Sequence, residues 1–359
     1  MTDTITADAA RRSDAIAIAR VICIVGVVYV HAWTGVNGEM LAALRGTPQE
    51  DLRWVLMELF GHSAVPLLGL ISGWLVGGSS RTRDWISHVG RKARTILLPM
   101  IVWNALAILL VSGAAWLGSL SAPQPHSAGW IMQELLIVSR NPDINVQMPF
   151  LRDLFLCMLA APLLVRLPGW ALLLVAALAG LCHIFGVGPP VLLRAAILFF
   201  FTLGIIARRL DWADRAVAMP LALALAPFAL LMPVQLVLEM KGIAEPALWR
   251  AILDLAVRVA AALFFWRFAW GIAGTAARGM LLRIEPFAFF FFCAHLILIW
   301  LGGPVLGALF GPMGSPLYPA YLIAQPLIVL VAVILLGTAL SRAAPYFAGL
   351  LSGGRLRRA

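Results

Sequence analysis

The sequence predicts an all-α integral membrane protein with about ten transmembrane helices and with both termini in the cytoplasm. The first observation is composition, because 62% of the 359 residues are hydrophobic and only 12% are charged, whereas soluble domains carry about 25% charged residues. The second is that runs of about 20 apolar residues, long enough to cross a hydrocarbon layer, recur along the chain. The third is the distribution of Lys and Arg between these runs, which indicates the orientation.

Ten apolar segments are predicted to span the membrane, and the first is expected to be retained because no small-residue cleavage signal follows it. The longest loop, 119–148, follows the third span, and its residues 130–138 are predicted to form a short interfacial helix. We therefore divide the chain into a cytoplasmic N-terminal tail 1–14, a transmembrane domain 15–341 and a basic cytoplasmic tail 342–359. The predicted spans are 15–33, 53–77, 96–118, 149–166, 169–187, 190–208, 218–238, 247–272, 286–308 and 319–341.

The orientation follows from a count of Lys and Arg on the two sides of these spans. With the N-terminus inside, seventeen of them lie in cytoplasmic segments and five in outer segments, as the positive-inside rule requires. A multi-pass protein of a bacterial inner membrane is expected, with membrane lipids as partners. The end of the tail, 352–359, is expected to lie on the anionic cytoplasmic leaflet.

The net charge of +10 does not indicate nucleic-acid binding, because the charges lie in short loops between apolar runs. The four cysteines fall inside apolar runs and show no paired CxxC spacing, so neither a disulfide framework nor a metal site is predicted. They are Cys23, Cys157, Cys182 and Cys293.

The first span contains two ionisable residues, Arg20 and His31. Eleven residues correspond to 1100° of rotation, so the two share one helix face about 16 Å apart. Ionisable groups within spans usually face a bundle interior or a water-filled cavity. A cationic anchor and a titratable base lining one groove is one interpretation. A snorkelling arginine with a hydrogen-bonded core histidine is the other, and spacing alone leaves both open.

Five segments, taken in order, resemble the membrane acyltransferase family 3, whose members O-acylate glycans and other extracytoplasmic acceptors. The resemblance covers nearly the whole chain. The segments are the Arg20-x10-His31 pair, the block 65–75 with a proline followed by Ser72-Gly73, the RxxR stretch and proline of 91–99, the block 150–155 with Phe-Leu-Arg-Asp where the family often has Trp-Phe-Leu, and the block 289–295, which ends in His295 but has lost the tyrosine of the family's Tyr-Leu-x-x-His.

The RxxR stretch is the expected docking site for an acyl-CoA donor. Arg91 and Arg94 are i,i+3 neighbours on one helical face, and arginine binds phosphate bidentately. Acyl-CoA carries a 3′-phosphate and a pyrophosphate. Ordinary positive-inside charge is the alternative explanation for this loop, and the resemblance favours the donor site.

Further polar residues are candidates for an acceptor site or cavity. Arg152 and Asp153 enter the fourth span side by side, do not share a helix face, and are therefore expected to meet different partners. Ser72 is a candidate ligand, whereas its neighbour Gly73 is expected to serve close helix packing. His295, near the middle of the ninth span, is a second base, a ligand or a core histidine.

Asp254 and Arg258, at i,i+4, are expected to pair with each other.

The resemblance, together with these residues, predicts a membrane-bound O-acyltransferase that moves an acyl group, expected to be acetyl from acetyl-CoA, to a hydroxyl of an envelope or secreted glycan or of a lipid-linked sugar. His31 is the expected base, with Arg20 as its companion, and transient transfer of the acyl group to His31 is the alternative role. Acyl-CoA is a substrate, and no bound cofactor is expected. A small-molecule transporter or flippase is the alternative from another class, although no internal repeat is visible. Succinyl transfer is the alternative within the enzyme class.

Overall fold

A computed structural model describes residues 2–31, 43–44, 46–240 and 247–356. These residues are predominantly helical, and no β-strand forms among them; Gly188 and Pro190 make one isolated bridge. The α-helices are Thr2–His31, Pro48–Trp54, Ser63–Gly77, Trp85–Lys92, Leu98–Ala107, Gly113–Trp116, Ala128–Leu136, Pro149–Leu164, Gly169–Ile184, Ala195–Arg209, Trp212–Ala218, Leu221–Met240, Ala247–Ile272, Arg278–Ile284, Ala288–Phe310, Tyr318–Ala343 and Pro345–Leu351.

Most of each predicted span is helical, although residues 190–194 of the sixth span precede its helix, and Ala32 and Trp33 lie outside the described residues. Within the described part of the chain, five helical segments are long and apolar enough to cross a membrane. The helices between 149 and 209 have 15 or 16 residues, or about 24 Å of length. The helix Ala247–Ile272 carries four charged residues. The all-helical prediction is confirmed, and the number of ten crossings stays a prediction.

Three π-helical segments interrupt the second and third predicted spans. Val55–His62 joins Pro48–Trp54 to Ser63–Gly77, and Ala93–Leu97 and Ile108–Ser112 lie within the stretch that ends at Trp116. A π-segment hydrogen-bonds from residue i to residue i+5 and thus shifts the helical register. Side chains on either side of such a segment therefore leave the face that α-helical spacing assigns to them.

The first helix lies between the two largest apolar clusters of the protein. Val21, Val27 and Val28 belong to one cluster, while Ile18 and Cys23 belong to the other. Residues one to three positions apart thus face different neighbours, because successive side chains point about 100° apart around the helix axis. The first helix is therefore buried on several sides and can carry side chains into more than one internal space.

Gly73 and Gly204 allow the second predicted span to pack closely on the sixth. A Cβ atom on Gly73 would collide with the carbonyl oxygen of Phe201, and one on Gly204 with that of Leu70. Small residues at such a crossing let two backbones approach, which is a common way to pack helices in lipid. The packing role predicted for Gly73 is confirmed.

The predicted loop 119–148 is ordered by a short helix and a buried carboxylate. Ser127 caps the helix Ala128–Leu136 by accepting a hydrogen bond from the amide of Trp130. The amides of Asp143 and Ile144 donate to Glu134. Burial raises the pKa of Glu134, against the opposing effect of these two amides. The helix predicted within this loop is present.

The C-terminal segment, residues 344–356, folds back onto the bundle. Trp103 Nε1 donates to the carbonyl oxygen of Leu351 at 2.9 Å. Gly353 and Gly354 have positive φ angles of 61° and 86°, which glycine adopts without strain, and they reverse the chain. Ser352 and Leu356 are buried. The tail up to Leu356 thus packs against the protein, and the expectation that its end lies on lipid headgroups stays a prediction; residues 357–359 lie outside the described residues.

Candidate functional site

The first cavity, of about 390 Å³, opens beside His31 and is named here the outer cavity after its predicted side. Its polar lining consists of His31, Gln147, His183, Arg194 and Arg258. Gln147 is 1% exposed, and its Oε1 atom has no hydrogen-bond partner in the described part of the chain. A buried amide oxygen without a partner is costly, so this group is a candidate acceptor for a substrate hydroxyl.

His31 and His295 lie next to each other, which their sequence positions did not reveal. Their ring centroids are 5.4 Å apart. His31 is the last residue of the first helix and is half-buried at the outer cavity. His295 is fully buried behind it, on the helix Ala288–Phe310. The two residues therefore form one site, in which only His31 lines the cavity.

The hydrogen bonds of His295 determine its tautomer. Its Nδ1 atom lies 2.7 Å from the carbonyl oxygen of Phe292 and 3.3 Å from that of Phe291. A carbonyl oxygen only accepts, so Nδ1 carries the hydrogen and Nε2 is left as the basic nitrogen of the neutral ring. Nε2 is buried without a hydrogen-bond partner among the described residues. His295 is thus a fixed imidazole with an unused acceptor next to His31.

The second cavity, of about 370 Å³, is the inner cavity and lies at the end of the bundle that carries loop 79–95. Four cationic side chains line it, together with one acid, Glu285. Arg20 Nη1 donates to Glu285 Oε1 at 3.1 Å. The cations outnumber the acid, so the cavity carries a net positive charge and suits an anionic ligand. The four cations are Arg20, Arg91, Lys92 and Arg355.

Arg355 reaches the inner cavity from the C-terminal segment. Its guanidinium carbon lies 4.3 Å from the ring centroid of Phe289, a distance typical of a cation–π contact. Its Nη1 donates to the carbonyl oxygen of Ser352 at 3.0 Å. Burial, followed by the charge of Arg20, lowers the pKa of Arg355, and the guanidinium stays charged at neutral pH. The positive charge of this cavity is thus held in place before any ligand arrives.

Arg20 and His31 line different cavities, which argues against the first of the two interpretations of this pair, a single shared groove. Arg20 lies in the inner cavity and His31 in the outer cavity. The two cavities meet at Phe150 and Phe292, which line both of them. Rotation alone placed Arg20 and His31 on one face, but the aromatic side chains of two other helices close the space between them.

The structure separates Arg91 from Arg94. Both side chains are exposed, but only Arg91 lines the inner cavity. Arg91 lies in the α-helix Trp85–Lys92 and Arg94 in the π-segment Ala93–Leu97. The change of register between the two explains why the predicted pair does not form one face towards the cavity.

Ser72 lines the inner cavity, as a ligand would. Its hydroxyl donates to the carbonyl oxygen of Leu68, four residues earlier, at 2.7 Å. That bond uses the hydroxyl hydrogen and leaves the oxygen lone pairs as the only groups that Ser72 offers to a ligand.

Arg152 and Asp153 bind each other in addition to the different partners that were predicted for them. Arg152 Nη1 donates to Asp153 Oδ1 at 2.6 Å. The Arg152 side chain is long and flexible enough to turn back to its neighbour at the start of the helix, although the two Cβ atoms diverge. Asp153 also accepts from the amide of Arg194 at 2.7 Å, and Arg152 Nη2 donates to the carbonyl oxygen of Pro190 at 2.7 Å. Neither side chain lines the outer cavity; the pair ties together the chain segments that form its wall.

The predicted pairing of Asp254 with Arg258 is confirmed, and His183 joins it. Arg258 Nε donates to Asp254 Oδ2 at 2.7 Å, and His183 Nε2 lies 3.0 Å from the same oxygen. Because His183 and Arg258 also line the outer cavity, this ion-paired group forms one polar wall of it.

Sequence reasoning missed four ionisable residues of the inner cavity. Lys92 is one of only two lysines in the chain, which was a usable signal. His88 and Glu285 lie in predicted cytoplasmic loops, where loop charge is expected and carries little information. Arg355 belongs to a tail whose return to the protein depends on tertiary contacts. Among the described residues, no three His, Cys, Asp or Glu side chains form a metal-binding group.

Comparison with known proteins supports the family resemblance. A sequence model of the acyltransferase 3 family, described as an acyltransferase domain, matches residues 13–342. The succinoglycan biosynthesis protein ExoH of Rhizobium meliloti (strain 1021) is 28% identical over 359 residues, which cover 94% of this chain and 90% of that protein. No solved structure gives a significant match. Because the family match extends from the first helix to the end of the last long one, this chain belongs to acyltransferase family 3.

Proposed function

We propose that this protein transfers an acyl group from acyl-CoA, bound in the inner cavity, to a hydroxyl group of a glycan or lipid-linked sugar in the outer cavity. The observation that carries the proposal is the pair of cavities that meet at Phe150 and Phe292, one cationic and the other holding His31. An acyltransferase that uses substrates from opposite sides of a membrane needs two separate entrances and one point of contact.

The charge of the inner cavity supports acyl-CoA as the donor. Arg20, Arg91, Lys92 and Arg355 face the space together with a single acid, Glu285. Guanidinium groups bind phosphate through paired, charge-assisted hydrogen bonds, and lysine adds a point charge. The 3′-phosphate and pyrophosphate of CoA match this arrangement, and the thioester end would then point towards the two phenylalanines.

His31 is the expected general base. As the acceptor hydroxyl attacks the thioester carbonyl, its proton passes to His31 and the new C–O bond forms. The C–S bond then breaks, and the CoA thiolate takes up the proton, which leaves the ester and free CoA. A positioned base of this kind contributes about 10²–10⁴-fold to a rate. His295, which does not line the cavity, is a positioning residue for His31.

The relative named for succinoglycan biosynthesis supports a glycan acceptor for this chain as well. Acetyl-CoA is the donor we expect, and succinyl-CoA is the second donor to assay. The proposed setting is a bacterial inner membrane, with both termini and loop 79–95 in the cytoplasm, where acyl-CoA is made. A reporter enzyme fused after Ala359 that works only in the periplasm would contradict this topology.

The test uses purified protein in lipid nanodiscs, labelled acyl-CoA and the envelope glycans of the host as acceptor. His31→Gln should lower transfer by about 10²–10⁴-fold with normal insertion and unchanged CoA binding. His126→Gln is the matched control, because His126 is exposed in the loop before Ala128–Leu136. A wild-type protein that transports a solute but never cleaves the thioester would contradict the proposal, as would near-normal transfer by a stable His31→Gln variant.

A further inference from the structure

Two phenylalanine rings separate the inner cavity from the outer one. The ring centroids of Phe150 and Phe292 are 5.7 Å apart, with 58° between the ring planes. Both residues are buried, at 6% and 4% exposure, and both line the two cavities. A group that passes from one cavity to the other along this contact must therefore pass these two rings.

The two rings belong to the segments whose sequences depart from the family pattern. Phe150 follows Pro149 at the start of the helix Pro149–Leu164. Phe292 ends a run of four phenylalanines that differ in their surroundings. Phe290 packs edge-on against Trp103 at 5.0 Å, whereas Phe289 and Phe292, three residues apart on one helix face, both line the inner cavity.

The catalytic groups lie on opposite sides of the two rings. Arg20, Lys92 and Arg355 are on the inner side, and His31 is on the outer side. Phe292 also lies edge-on to His295, with ring centroids 6.2 Å apart. The ring that borders the inner cavity is thus in contact with the histidine pair of the outer site.

We propose that Phe150 and Phe292 form the passage that the acyl group enters, that they exclude water from it, and that they set the length of acyl chain that the protein accepts. This inference rests on the proposed function. In transfer, the acceptor oxygen bonds to the acyl carbon and the C–S bond breaks. In hydrolysis, a water oxygen bonds to the same carbon, and free acid and CoA result. A tight aromatic contact favours the first reaction, because only the acyl end of the thioester fits between the rings.

The experiment compares Phe292→Ala and Phe150→Ala with Phe290→Ala. Phe290 is fully buried on the same helix as Phe292, so its substitution removes the same volume, but it lines neither cavity. We measure the rate of acetyl-CoA hydrolysis without acceptor and the rate of transfer with acceptor. The rates with butyryl-CoA and hexanoyl-CoA are measured as well. Opening the passage should raise the ratio of hydrolysis to transfer by about tenfold or more, since the reacting carbonyl becomes accessible to water. Butyryl-CoA use should rise too, and Phe290→Ala should keep the wild-type ratio.

The leucine variants Phe292→Leu and Phe150→Leu keep more of the volume and carry the same test if the alanine variants fail to fold. Folded variants with the hydrolysis ratio and the chain-length profile of the wild type would overturn the proposal, while wild-type transfer itself remains. Equal changes in Phe290→Ala would overturn it as well, because they would assign the effect to lost core volume. A wild-type protein that does not turn over acyl-CoA would instead overturn the proposed function, and this inference with it.

Discussion

Replacing Arg91 or Arg94 by alanine gives two variants that lose the same charge three residues apart. Arg91 lines the inner cavity, and Arg94 lies outside it. Both side chains are exposed, so neither substitution should unfold the protein. If loop charge served only to orient the protein in the membrane, the two variants would bind CoA alike. The proposed donor site predicts that they differ.

The expected difference in CoA affinity between the two variants follows from the contact that Arg91→Ala removes. A hydrogen bond to a charged group contributes about 1.5–3 kcal/mol, and each 1.4 kcal/mol is about tenfold in a dissociation constant. Arg91 is exposed, so screening by water and salt favours the lower end of this range. We therefore expect Arg91→Ala to raise the dissociation constant of CoA by about tenfold, and Arg94→Ala to leave it within about twofold.

The dissociation constant of CoA is measured for both variants in nanodiscs. Calorimetry or displacement of a labelled acyl-CoA gives this constant. The measurement is repeated at low and high ionic strength, because an electrostatic contact weakens as salt screens it. The difference between the two dissociation constants should therefore be smaller at high ionic strength. Equal weakening in two folded variants, or a larger effect of Arg94→Ala, would refute the assignment of Arg91 to the donor site.

Two further substitutions test the histidine pair and the helix crossing. His295→Gln should lower turnover by about tenfold and leave CoA binding unchanged. It should also shift the pH dependence of the rate, because the ring next to His31 is replaced. An unchanged pH profile would show that His295 has only a packing role. Gly73→Ala should destabilise the protein by about 1–3 kcal/mol, since the added Cβ atom meets a backbone carbonyl. Gly113→Ala should not have this cost, because a Cβ atom at Gly113 has no neighbour within 4 Å. Thermal unfolding in one detergent compares these two glycine variants, and equal midpoints would contradict the close crossing.

The helical segments could be predicted because a long apolar run leaves few alternatives to a helix. The two ionisable residues of the first span were informative because they interrupt such a run. A charge or an imidazole in an apolar helix has to be compensated, so Arg20 and His31 were found from sequence, and each of them lines a cavity. His295 was found in the same way, but its contact with His31 depends on how two distant helices pack.

Other parts of the site carry no local signal. Phe150 and Phe292 look like core residues in any apolar run, and only the two cavities distinguish them. The π-segment after Lys92 moves Arg94 away from Arg91, although the spacing in the sequence is that of one helix face. Arg355 depends on Gly353-Gly354 and on the burial of Leu356, which are tertiary facts. In each case a contact between distant segments decides the role of the residue.

The first helix also explains why the two cavities can cooperate. It is continuous from Thr2 to His31, so the eleven residues between Arg20 and His31 separate them by about 16 Å along its axis. Arg20 faces the proposed phosphate side and His31 the proposed hydroxyl side, and one rigid element holds both. The pantetheine arm of CoA has to cover a distance of this order between its phosphates and its thioester. In the proposed mechanism the spacing would couple donor binding to the position of the base, and Phe150 and Phe292 would occupy the space where the two substrates meet.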